Sequence, residues 1–349
     1  MAKNISLEKF RFKKTFIFIL FGVLVLTILV CLGVGSIRIS FITILKVLLS
    51  HLGIESEVFP ETTKAIILDV RLPRIILAIL VGAGLSVSGC AMQGLFRNPM
   101  ASPFVTGIAS AGAFGAALVV ISGLGAFWIV PFAFLISLST AFFVYYLAKT
   151  KTGIPVGTLL LAGIAISFLF SALVSFIQYI ADERELREIV LWLMGRLWEA
   201  NWGKVITVFP FVLTGTIGLM VLSKKLNLIL LGDRSAIDLG VEVEKIRRTV
   251  LFLVSFITSS CVAATGVIGF VGLIIPHIMR MVIGPDHKYL LPASALGGAI
   301  FLVWADMLAR TILSPTELPV GIITAILGVP FFLFLLMRRK KLLGFSYGT

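Results

Sequence analysis

The chain of 349 residues predicts an all-α integral membrane protein with ten transmembrane helices and both termini in the cytoplasm. Three observations carry that prediction. Hydrophobic residues make up 59% of the chain, with mean hydropathy +1.09, above the usual share in a soluble globule. Apolar runs of about 20 residues, enough to cross a bilayer, recur from end to end. Twenty of the 30 Lys and Arg fall on the side that holds both termini, with six of the 17 acids. Ten acids lie opposite and Asp306 sits within a span, which is the positive-inside asymmetry. The net charge of +13 therefore reports membrane orientation. Nucleic-acid binding would need a basic groove interleaved with aromatics, and the sequence has none.

The first span, near 15–35, follows a basic start. Its length and the spans behind it favour a retained helix over a cleaved signal. The loop Ser36–Val70 is expected outside, with a short helix around Phe41–Leu49. The second span, near 75–95, carries Gly82, Gly84 and Gly89, small residues that let helices approach closely. Gly107, Ala111 and Gly115 suggest the same for the third, near 103–122. Spans near 127–147 and 157–180 come next. In Ala181–Asn201, apolar Leu186, Ile189, Val190 and Leu193 recur at helical spacing beside Trp192, Trp198 and Trp202, which suits a helix lying at the outer surface.

The sixth span, near 202–222, leads to a charged loop, Ser223–Arg248. Gly232–Gly240 reads as a short helix, with Ser235 and Asp238 as a capping box and Gly240 as a left-handed terminator. A second helical run, Glu242–Arg248, leads into a span near 248–265. Three more follow near 267–284, 290–309 and 318–337. No linker divides the chain, so 1–349 is expected to be a single domain.

The sequence lacks several chemistries. The phosphate-binding pattern G-x-x-x-x-G-K-[ST] does not occur. His277 and His287 lack partners at metal-ligand spacing, and no nucleophile elbow appears, so neither a cofactor nor a metal is expected. Cys31, Cys90 and Cys261 read as packing residues. Asp306, with Arg310 one turn on, reads as an ion pair near the outer end of the ninth span. These absences leave two transport readings, a subunit powered by an external ATPase and a self-sufficient ion-coupled carrier or channel. A membrane-embedded enzyme is the third reading and has no nucleophile, metal cluster or paired carboxylates to serve it. A carrier would favour midplane carboxylates.

Five blocks are more specific. They are Arg71-Leu72-Pro73-Arg74; Gln93-Gly94-Leu95-Phe96-Arg97-Asn98-Pro99-Met100-Ala101-Ser102-Pro103; Leu159-Leu160-Leu161-Ala162-Gly163; Gly266-Val267-Ile268-Gly269-Phe270-Val271-Gly272 running on to Pro276-His277; and Glu317-Leu318-Pro319-Val320-Gly321 with Gly328-Val329-Pro330. In this order they resemble the FecCD-type permeases of ABC importers for iron–siderophores, haem and cobalamin, across essentially the whole chain.

The resemblance implies a type II ABC importer permease in the cell membrane, paired with a second copy or a paralogue around a central pathway. Two cytoplasmic ABC ATPase subunits would bind below, and an extracytoplasmic substrate-binding protein above. It places ATPase coupling at Gly232, Asp233, Ser235, Ala236, Leu239 and Gly240. It places binding-protein docking at Arg71, Arg74 and Arg310, for which snorkelling into lipid headgroups is the alternative. It puts the cytoplasmic gate near Val156 and Gly157, where Val156-Gly157-Thr158 departs from the small polar residues common in the family. The cargo it implies is a metal chelate, with an iron chelate expected first and a molybdate- or tungstate-type oxyanion as the alternative.

Overall fold

The computed structural model describes residues 2–35, 39–51, 54, 59–150 and 155–344. Among these residues there is no strand. The helices in order are α1 (Ala2–Gly33), α2 (Phe41–His51), α3 (Glu61–Ala65), α4 (Leu72–Leu95), α5 (Ile108–Ile121), α6 (Ile129–Ala148), α7 (Val156–Ile180) and α8 (Glu183–Leu193). They continue with α9 (Trp202–Val221), α10 (Ser223–Leu230), α11 (Asp233–Asp238), α12 (Val243–Thr265), α13 (Val271–Ile283), α14 (His287–Thr311) and α15 (Val320–Gly344).

Seven helical runs are long and apolar enough to cross a membrane: Arg11–Gly33, Glu61–Leu95, Ala126–Ala148, Gly157–Ile180, Trp202–Val221, Val243–Thr265 and His287–Thr311. Four more apolar helices are shorter, among them α5, α13 and the Val320–Phe334 part of α15. Two expected spans therefore shorten. The third is a 3-10 turn, Pro103–Thr106, followed by the 14 residues of α5. The eighth becomes helical only at Val271.

The cause of the second change is a backbone contact that hydropathy does not report. A Cβ on Gly266 would lie 2.1 Å from the Trp192 carbonyl oxygen, and the Arg196 N–H donates to the Thr265 carbonyl at 2.7 Å. The chain after α12 is thus fastened to the turn after α8 and re-enters a helix only past Phe270. The second span is instead longer than expected, because α3 passes through a wide π-turn, Ile66–Arg71, directly into α4. Pro73 accounts for the turn. Its ring would meet the carbonyl of Asp69 in a regular α-helix, and the wider turn moves that carbonyl aside.

Helices α4, α12 and α14 form the interior, whereas only 17% of the apolar window of α7 is buried. Glycine makes the interior possible. A Cβ on Gly89 would fall 1.6 Å from the Gly272 carbonyl oxygen of α13, and one on Gly82 would fall 2.3 Å from that of Gly298 on α14. Helices meet there backbone to backbone, the close approach that small residues permit. Gly107 does not belong to such a stripe. It caps α5 at φ +80°, so the expected Gly107–Ala111–Gly115 repeat is split between a turn and a packing face. Cys31, Cys90 and Cys261 are buried free thiols.

Candidate functional site

The residues expected to carry function collect at the two ends of α4. At its N-terminal end three arginines converge, each less than a tenth exposed. The Arg74 Nε donates to both carboxylate oxygens of Asp306 at 3.0 Å, and its Nη2 donates to Oδ1 at 2.8 Å. Its Nη1 donates to Glu317 Oε2 at 2.8 Å, in the loop before α15. Arg310 Nη2 donates to the Cys31 carbonyl at 2.6 Å and Arg71 Nη1 to the Leu32 carbonyl, so both hold the end of α1.

The expected Asp306–Arg310 pair is present, but as the weaker of two contacts to that carboxylate. Arg310 Nε lies 3.9 Å from Asp306, while Arg74 grips the carboxylate with a full fork. Asp306 projects from α14 toward Arg74 on α4, whose Nε and Nη2 reach both of its oxygens, whereas Arg310 on its own helix comes no nearer than 3.9 Å. The opposite charges of the Arg71–Arg74 block and Asp306 were visible in sequence. Their meeting across 232 positions was not. Glu317, quoted only as part of a motif, is the member of the network nearest solvent, with 36% of its side chain exposed.

At the other end of α4 the charged loop folds as α10–α11–α12. The expected capping box is corrected here. α11 begins at Asp233 after Gly232 (φ +112°), with no side-chain cap, and Ser235 lies inside the helix. What starts α11 is an ion-pair clamp. Asp233 Oδ1 accepts from Arg97 Nη2 at 3.3 Å, just past α4, and Oδ2 accepts from Arg247 Nη2 at 3.0 Å, on α12. Arg247 is buried and also pairs with Glu244. The end of α11 is as expected. Gly240 has φ +80°, its N–H donates to the Ile237 carbonyl, and the Val241 N–H donates to the Ala236 carbonyl at 2.9 Å. That is a Schellman closure, with buried Ala236 and Val241 at its apolar contact positions.

The clamp and closure divide the expected coupling residues. Ala236 is fully buried and Asp233 is half-exposed but held by its two arginines, while Leu239 projects outward together with Ile237, both about 60% exposed. The exposure of Ile237 was not legible in sequence, because an isolated isoleucine in a charged loop gives no sign of which way it points.

A scan against family models matches residues 23–338 to the FecCD transport family. The chain belongs to that family. It is 44% identical to the cobalamin import system permease protein BtuC of Halobacterium salinarum, over 80% of this chain and 76% of that one. It is 43% identical to the hemin transport system permease protein HmuU of Yersinia pestis, over 78% and 84%. A solved structure described as an inward-facing metal-chelate type ABC transporter superposes with TM-score 0.83 at 36% identity, over 93% of this chain and 99% of that one.

This FecCD chain is accordingly a multi-pass cell-membrane protein of the ABC permease kind. Two family blocks meet at the break between α12 and α13. Gly321 at the start of α15 lies against the Met194 carbonyl, and Gly328 lies against the ring of Phe270, which itself has φ +68°. The gate residues expected at Val156 and Gly157 open α7. Gly157 is exposed with open space around it, and the Val156 side chain and residues 151–154 lie outside the described residues.

Proposed function

We propose that this chain is a single-domain, ten-span permease subunit of a binding-protein-dependent ABC importer, with both termini cytoplasmic. Seven long runs together with α5, α13 and α15 make up the ten spans. The observation that carries the reading is α11. It is a short helix clamped to α4 and α12 through Asp233 and closed by Gly240, and it holds Ile237 and Leu239 out into solvent. Two apolar knobs on a braced helix suit a groove in a cytoplasmic ATPase subunit, and motion of that subunit would reach α4 through Arg97. The largely unburied α7 supports a second permease copy beside it, with the gate region at Val156 and Gly157 at its cytoplasmic end.

In this orientation the arginine end faces outward and receives the substrate-binding protein. Arg71, Arg74 and Arg310 would support docking from beneath the surface, and a partner carboxylate could take the place of Glu317 on Arg74. The cargo we assign is a metal chelate, of the iron–siderophore, haem or cobalamin type. An ion-coupled carrier would need a titratable carboxylate free to cycle, and Asp306 is instead held by a bidentate arginine.

The test is affinity purification of the tagged protein from its host, in wild-type form and with Ile237→Asp. A wild type that carries a stoichiometric ATPase subunit, lost in the variant, is expected. Uptake driven by an ion gradient with no ATPase bound would overturn the proposal.

A further inference from the structure

On the flank of the bundle, α6 and α9 both pack against α12 and meet each other at Phe134 and Phe211, whose ring centroids are 5.0 Å apart. Phe256 of α12 closes that meeting point, 4.6 Å from Phe211. Beside the N-terminal ends of the two helices lies a crevice of about 640 Å³. That volume falls within the roughly 300–1,000 Å³ of small-molecule sites. Val130 and Trp192 wall it, Thr207 leaves room on the α9 side, and Ala263 and Ala264 make a shallow floor. By helix rise, Lys204 to Phe211 spans about 10 Å of depth.

The mouth differs in character from the walls. Arg196, less than a tenth exposed, places Nη2 3.0 Å from Glu199 Oε1, and Lys204 Nζ lies 3.3 Å from Glu199 Oε2. Two cations share one carboxylate, so the charged lining of the crevice itself carries one surplus positive charge. Asp182, Arg184, Glu185 and Glu188 line the adjoining groove beyond Ala126 and Ile129. Trp128 and Trp202 are partly exposed at the same level, as aromatic side chains are where a bilayer meets water. Both helices that flank the crevice are among the seven apolar spans.

We propose that the crevice binds one anionic glycerophospholipid. An acyl chain would fill the apolar slot between α6 and α9, and the phosphodiester would sit against Arg196 and Lys204. Apolar walls that open between two lipid-facing helices call for hydrocarbon, and the charge at the mouth selects an anionic headgroup. The lipid would thereby brace α6 to α9, which otherwise share only their aromatic seal and the α12 floor beneath.

The test is native mass spectrometry of the full chain in detergent, with added phosphatidylglycerol, diacylglycerol lacking the phosphate, or inorganic phosphate. Wild type is expected to retain one phosphatidylglycerol per chain, and inorganic phosphate should not displace it. Thr207→Trp, which fills the slot, should abolish retention, and Ala264→Leu serves if that variant does not fold. Lys204→Gln should lower phosphatidylglycerol retention about fivefold, the worth of one cation beside an anionic headgroup, and leave diacylglycerol unchanged. Equal retention of the two lipids, displacement by phosphate, or undiminished retention in folded slot-filling variants would overturn the proposal. So would slot-filling variants that change the oligomeric state while wild type binds no lipid.

Discussion

Asp306 is the residue whose removal should cost this protein most. Its side chain is 2% exposed and receives three hydrogen bonds from Arg74, itself 7% exposed. Replacing Asp306 by Ala leaves Arg74 with Glu317 alone, and leaves Arg310 without its nearby carboxylate. Removing one partner of such a buried pair costs about 3–5 kcal/mol, because an uncompensated charge stays behind. Replacing Glu317 by Ala should cost under ~1 kcal/mol, since that carboxylate is 36% exposed and screened. Replacing both members, Arg74→Met with Asp306→Leu, removes that pair together and should recover the share of the loss owed to a stranded Arg74, while Arg310 still lacks its carboxylate. The assay is thermal unfolding of the detergent-purified protein followed by tryptophan fluorescence. The expected order is wild type and E317A close together, D306A several degrees lower, and the double variant between them. If D306A melts with E317A, or the double variant melts below D306A, the account of a buried, mutually dependent pair is wrong.

Other predictions concern the loop end and the interior. Gly240→Val meets no steric obstacle, because no atom lies within 4 Å of the added Cβ. Its cost is the left-handed φ, about 1–2 kcal/mol, so the variant should fold but hold the ATPase subunit more weakly in pull-down. Asp233→Ala removes both anchors of α11, and hydrogen exchange should rise over 233–240 without change in the interior helices. Gly89→Ala drives a methyl against the Gly272 carbonyl. It should lower stability by about 3 kcal/mol, whereas Gly157→Ala, in open space, should leave the melting point unchanged.

The sequence by itself determined what depends on local composition. Apolar length set the membrane location, and the order of the motif blocks set the family. Gly240 fixed the end of α11, because only a residue without Cβ takes that conformation cheaply. The helix of Ala181–Asn201 was equally legible, since its apolar spacing is a property of the helix alone. Tertiary structure decided whatever required two distant segments to meet. Hydropathy counted 267–284 as one span because it cannot register the Trp192 carbonyl that occupies the space beside Gly266. Helical proximity suggested Arg310 for Asp306, but the packing of α14 on α4 delivered Arg74 with better fork geometry. In α11 the chain order shows six polar and apolar side chains without direction. The Arg97–Asp233–Arg247 clamp orients the helix so that Ala236 is buried and Ile237 and Leu239 stay outside. A side chain's direction is set by what its neighbours fill, and only the folded chain specifies those neighbours.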